Sequence, residues 1–269
     1  MFVADTHMHS TVSFDAHNTR REMAEAAQQA GLSCICFTDH YDVIDEKGNY
    51  CLSYDWMPAR QAQAEAKKAV SGDFSLLYGL ELGNAPANFA AAEKVLAEPG
   101  LDCVIGSIHN TTMELGGQDY YSVDYSAHPE ICGLHLEDYL RQMLELVQWG
   151  NYDTLGHLPY PLRYMRDQYG LDVSLAPYSD QVETILRTMV ETGKALEVNT
   201  NRARTPLDDY VPLLKTFRSM GGELVTVGAD AHQREHVGLG VETAYDLLRT
   251  CGFRYVTVFR NRQPDCIKL

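Results

Sequence analysis

The chain has 269 residues, 45% of them apolar, enough for a substantial core in one large domain or two small ones. Its 37 acidic residues outnumber the 22 basic ones and leave a net charge of −15, which disfavours a nucleic-acid partner. No apolar run approaches the ~18–20 residues of a membrane span, and the start lacks the basic and apolar regions of a signal peptide, so a cytoplasmic protein is expected. The seven cysteines form no CxxC pair, and most fall within strand-like runs (Cys34, Cys36, Cys103) or near helix ends (Cys132, Cys251), which favours buried reduced thiols.

In chain order, Phe2–Thr6 reads as a strand that runs into His7 and His9. Thr19–Gly31 follows as a helix, with Met23, Ala26, Ala27 and Ala30 at helical spacing and Gly31 as its stop. Cys34–Thr38 is a second strand ending in Asp39 and His40, with Tyr41–Tyr54 as a long loop behind it. A helix over Asp55–Ser71 leads to a third strand, Ser75–Leu80, which ends at Glu81. Ala87–Ala97 is helical, and Cys103–Ile108 is a strand ending at His109. The Gly-, Asp- and Tyr-rich loop Asn110–Gly133 separates it from a helix over Leu136–Trp149. Thr154–Gly156 runs into His157, and Pro177–Thr192 is helical. Leu196–Asn199 ends in Asn201 and Arg202, and Leu207–Met220 is helical. Leu224–Ala229 ends in Asp230 and His232, before a helix over Glu242–Cys251. A last run, Tyr255–Phe259, has no polar ending and is expected beside the main sheet.

Strand and helix alternate without a linker, which predicts one parallel α/β domain over residues 1–269. All seven strand endings carry polar side chains, whereas an open sheet uses mainly its switch point. A TIM-like barrel with its site at the carboxyl ends of the strands is therefore favoured.

His7 and His9 lie two apart on a strand and face one way, and Asp230 with His232 repeats that geometry. With Asp15, His40, Glu81, His109 and His157 they make nine candidate ligands, all nitrogen or oxygen donors. Such donors fit zinc, manganese or iron, and nine exceed the needs of one ion, so two or three divalent metals are implied. His17, His128, His135 and His236 are read as surface residues. Arg202 and Arg163 are candidates for phosphate oxygens, with Arg204 a further one, because planar guanidinium matches phosphate in bidentate fashion.

The segments Asp5-Thr-His-Met-His-Ser, Thr38-Asp-His, Gly79-Leu-Glu, Gly106-Ser-Ile-His, Gly156-His and Gly228-Ala-Asp-Ala-His resemble the ordered motifs of the PHP (polymerase and histidinol phosphatase) superfamily. Size and the Gly156-His-Leu-Pro-Tyr-Pro segment resemble its stand-alone histidinol-phosphatase branch. That resemblance implies a distorted (β/α)7 barrel with up to three metals, held by the nine positions named above. It also implies hydrolysis of L-histidinol phosphate in histidine biosynthesis.

The charge balance points the same way. Three divalent ions, three carboxylates and one hydroxide would leave the site at about +2, an attractor for a small phosphorylated metabolite. Tyr41, Asp42 and Asp45, directly after His40, are placed to receive the substrate's amine. The alternative is the same chemistry on nucleotides, short oligonucleotides or another small phosphate monoester. An amidohydrolase is countered by Asp39-His40 and Glu81 and by the lack of a strand-end lysine. A non-catalytic metal-binding module is countered by the complete ligand set. His9→Ala is expected to lose bound metal and phosphatase activity together, measured by elemental analysis beside a turnover assay.

Overall fold

Strands this short and this apolar are stable only when both faces are covered, and the helices between them supply the cover. The computed structural model describes residues 2–204 and 206–269. The first half runs β1 (Ala4–Met8), α1 (Arg20–Gln29), β2 (Cys34–Phe37), β3 (His40–Asp42), α2 (Met57–Ala69), β4 (Ser75–Gly83), α3 (Phe89–Leu96), β5 (Cys103–Ser107) and α4 (Cys132–Trp149). The second half runs β6 (Thr154–Leu155), α5 (Tyr160–Leu162), α6 (Ser179–Glu191), β7 (Ala195–Asn199), α7 (Tyr210–Ser219), β8 (Val225–Gly228), α8 (Val241–Thr250), β9 (Tyr255–Arg260) and β10 (Gln263–Lys268). Among the described residues no helix is long and apolar enough to cross a membrane.

The strands lie in the order β1-β2-β4-β5-β6-β7-β8, all parallel, and β3 extends the β2 position along the upper half of β4. That makes seven staves, as expected. The sheet is drawn shut between its first and last strands by a Met8–Ala231 bridge. His9 N donates to Ala231 O at 2.8 Å and Asp230 N donates to His7 O at 2.8 Å across this seam. The result is a single α/β domain, a parallel sheet nearly closed into a barrel with helices around it.

Local chemistry sets where the elements begin. Thr19 caps α1 through Glu22 N, and the Glu22 side chain reaches back to Thr19 N, a complete capping box. This start places Arg20 on the inward side of the first turn, where it is 1% exposed and bonds Asp39 through Nε (3.0 Å) and Nη2 (2.8 Å). A second close fit occurs at Gly228, where a Cβ would stand 2.1 Å from His7 Cβ, so no larger residue leaves room for that imidazole.

Three expectations needed adjustment. The segment from His40 is not all loop, because β3 pairs residue for residue with Glu81–Gly83. The helix expected from Leu136 starts four residues earlier, at Cys132. Tyr255–Phe259 does sit beside the barrel, but as half of an antiparallel hairpin with β10. That hairpin closes the floor. Val258 and Phe259 pack with Ala4, Cys34, Leu77, Cys103 and Ala195, at the starts of five strands. Asn261 N bonds Asp102 at 3.0 Å and Val225 N bonds Thr257 at 3.3 Å, tying the hairpin down. Phe259→Ala is expected to cost about 3–5 kcal/mol in urea unfolding, since the ring plugs a dry floor that cannot refill.

Candidate metal centre

Strand ends bring the nine expected donors together, and a buried carboxylate lies at their centre. Glu81 has no solvent exposure. Its Oε1 lies 3.1 Å from His109 Nε2 and 2.8 Å from His157 Nε2. Its Oε2 lies 3.1 Å from His7 Nε2, 3.4 Å from His9 Nε2 and 3.1 Å from His40 Nδ1. Burial alone would raise the Glu81 pKa, but His7, His40 and His109 outweigh it and hold the carboxyl well below its usual range.

Asp230 completes the seam side, with Oδ1 3.4 Å from His9 Nε2 and 3.5 Å from His232 Nδ1. Asp15 reaches over the mouth to His232 Nε2 at 2.9 Å and His40 Nε2 at 3.7 Å. Burial, with His40 and His232 beside it, pulls the His9 pKa down to about 3, so its imidazole is neutral at physiological pH. Asp230 itself sits at a left-handed φ of 58°, a strain that persists where surroundings over-determine the backbone.

Acceptors behind the histidines orient them. Glu197 Oε1 lies 2.6 Å from His7 Nδ1, Asp42 Oδ1 is 2.7 Å from His109 Nδ1, and the Asp230 carbonyl is 2.9 Å from His232 Nδ1. An Nδ1–H donating to such a partner leaves Nε2 as the lone-pair nitrogen facing the centre. His7 Nε2 then stands 3.1 Å from His9 Nε2, and His109 Nε2 stands 3.4 Å from His157 Nε2. Ring nitrogens that close, beside buried carboxylates, form a geometry that a cation shared between them would favour. The donor sets His7–His9–Asp230, His7–Glu81–His157, His9–His40–His232 and His40–Asp42–His109 each gather within 4.8 Å. With no thiolate among them, these sets fit divalent zinc, manganese or iron.

Asp42, expected as an amine receptor, lines the cavity and bonds His109. Strand alternation along β3 turns His40 and Asp42 to one side, so the carboxylate meets His109 and lies over Gly83. Arg163 and Arg202 both line the cavity above the cluster. Arg163 donates to Asn199 Oδ1 at 2.6 Å and Asp230 Oδ2 at 3.2 Å, and stacks over Tyr160. Arg202 lies in the left-handed run Asn201–Ala203, anchored by Arg202 N to Ala229 O at 2.9 Å. Burial lowers its pKa and Asp230 raises it, while neighbouring Arg204 and Arg163 lower it further. Three guanidinium groups on one rim invite an anion.

The sequence reading missed Glu197, which also accepts from His157 N at 2.7 Å. Its signal was an acid in an otherwise apolar strand, two residues before Asn199. His17 and His236 line the rim as well. His135, expected at the surface, is buried and bonds Tyr125 Oη at 2.9 Å.

Comparison with known proteins adds the following. A family model for the PHP domain matches residues 5–201. The histidinol-phosphatase of Lactococcus lactis is 28% identical over 266 residues, 97% of this chain and 96% of that protein. A probable histidinol-phosphatase of Deinococcus radiodurans is 30% identical over 97% of this chain and 98% of that protein. The crystal structure of histidinol phosphate phosphatase from Lactococcus lactis, in complex with zinc, L-histidinol and phosphate, matches with a TM-score of 0.77 and 28% identity over 98% of each chain.

Glu197→Gln is expected to weaken zinc binding by about 10–100-fold, read by competition with a chromophoric chelator, because His7 loses the charge that orients it.

Proposed function

The chain belongs to the PHP domain family, and on that premise we propose that it is a metal-dependent phosphatase hydrolysing L-histidinol phosphate to L-histidinol and phosphate. The observation that carries this reading is the gathering of five imidazoles around Glu81, with Asp230, His232 and Asp15 beside them, in a chain alike over nearly its whole length to an enzyme crystallised with zinc, histidinol and phosphate.

In this reading His7, His9, Asp15, His40, Glu81, His109, His157, Asp230 and His232 hold two or three divalent ions, with zinc favoured over manganese or iron. Bound there, such ions supply hydroxide at neutral pH and offset phosphate charge. The remaining work belongs to the chain. Glu81 presents one oxygen to each half of the histidine cluster and so holds the halves in register. Glu197 and Asp42 fix the His7 and His109 rings. Arg163 and Arg202 take the phosphate oxygens, Arg163 pre-aimed by Asn199 and Asp230, so little side-chain freedom is lost on binding. Tyr160, with its ring 4.8 Å from that of His157 and 5.2 Å from that of His109, walls the site on one side.

The test is a turnover panel on the metal-loaded protein. Histidinol phosphate should exceed nucleoside monophosphates and a generic aryl phosphate in kcat/KM by at least on the order of 100-fold. Best turnover on a nucleotide would sink the assignment. Arg202→Ala should lower kcat on every phosphate ester by roughly 10²–10³-fold with metal content unchanged.

A further inference from the structure

The strand that carries Glu81 is continued by a side chain where its backbone turns away. β4 closes at Gly83, and Asn84 leaves the sheet at a left-handed φ of 58°, which asparagine tolerates better than most residues with a Cβ. On one side the strand's ladder ends with Val43 N donating to Gly83 O at 3.0 Å. On the other it ends with Asn84 N donating to Ser107 O at 2.9 Å. The next rung on both sides is the Asn84 amide. Its Nδ2 donates to Ile44 O at 3.0 Å, beyond β3, and its Oδ1 accepts from His109 N at 2.8 Å, beyond β5. A side-chain amide carries the donor and acceptor of a peptide group, so it serves as one more residue of β4.

A second amide completes the joint. Asn84 and Asn110 are each 1% exposed. Asn84 Oδ1 also accepts from Asn110 N at 3.1 Å, and its Nδ2 also donates to Asn110 Oδ1 at 2.9 Å, which fills both lone pairs and both hydrogens. Asn110 Nδ2 goes on to the Asp45 and Gly117 carbonyls, each at 2.9 Å. The segments that follow β3 and β5 are thereby tied to the end of β4.

What the joint holds in register is the pair Asp42 and His109, one from each tied segment. The Asp42 carboxylate reaches His109 Nδ1 at 2.7 Å by crossing over Gly83, where a Cβ would collide with Asp42 Oδ1 and stand 2.9 Å from His109 Nδ1. Asn84 Nδ2 comes within 3.3 Å of the same Asp42 oxygen. Resting on the metal-holding part of the reading above, we propose that Asn84 is a positioning residue for His109. By clamping the exits of β3 and β5 it sets the Asp42–His109 bond, and so aims His109 Nε2 at the centre it shares with Glu81 Oε1.

Asn84→Gly keeps the left-handed backbone and removes the amide. In competition with a chromophoric chelator, the zinc that depends on His109 should be held about 10–100-fold more weakly than in the parent. Turnover lost at limiting zinc should return at saturating zinc, because the reacting groups remain. Phe259→Ala loosens the barrel floor instead and should titrate with zinc as the parent does. Unaltered zinc binding in Asn84→Gly, or an equal loss in Phe259→Ala, overturns the role. A second measurement needs no variant and decides the matter if Asn84→Gly fails to fold. In the metal-free parent, the His109 and Asn110 amides should exchange hydrogen as slowly as those within β4 and β5, and exchange at the rate of an open loop overturns the clamp. A parent that binds no zinc takes down the metal reading and the proposal with it. A parent that binds zinc, beside an Asn84→Gly variant that binds it equally, takes down the role of Asn84 alone.

Discussion

A carboxylate with no exposure, standing amid five imidazole nitrogens, is the constraint on which the rest of the molecule is built. Alone in the interior, Glu81 would cost several kcal/mol of lost hydration. Its neighbours remove that cost only if each ring presents the correct nitrogen at the correct distance. The barrel meets this demand by delivering the rings from different strands, so that no single loop movement can scatter them. Parallel staves with covered faces make a rigid rim, and rigidity is what a cluster of closely spaced ring nitrogens needs.

That rim is stiffened from behind. Asp39 accepts from Ser10 N at 2.6 Å and from Ser13 Oγ at 2.9 Å on one oxygen, and from Arg20 on the other. Ser13 Oγ in turn accepts from His40 N at 2.9 Å and lies 3.3 Å from His9 Nδ1. Arg20 continues to Gln63, which bonds the Leu77 carbonyl in β4. A capping box on the outer surface is thereby coupled, through one buried ion pair, to the His9 imidazole and the His40 backbone. Removing either charge would strand the other in the core.

Much of this was legible in the sequence. Six of the seven strand-like runs ended in a ligand and the other in Arg202, and the regularity of those endings pointed to one shared site on a barrel. The (β/α) alternation and the nine donors follow from patterns two residues long or from strand position, which local sequence encodes. What escaped was of a different kind. Glu197 looked like a lone acid in an apolar strand because its partners, His7 and His157, lie 190 and 40 residues away. The contact of Asp42 with His109 escaped because three residues are too few to announce β3, and without that strand nothing turns the carboxylate toward His109. The pairing of β9 with β10 escaped because Gln263–Lys268 alternates polar and apolar residues too weakly to stand out beside the barrel strands.

The seam between β1 and β8 carries a consequence for the life of the chain before it works. His7 and His9 are synthesised more than two hundred residues before Asp230 and His232. No nascent chain can join the two until β8 has emerged, so the β1 donors wait without their partners while those two hundred residues are made. Contacts of such separation are slow to form. The centre is thus assembled last, and loading it with metal reports that the entire barrel, rather than any fragment, has been completed.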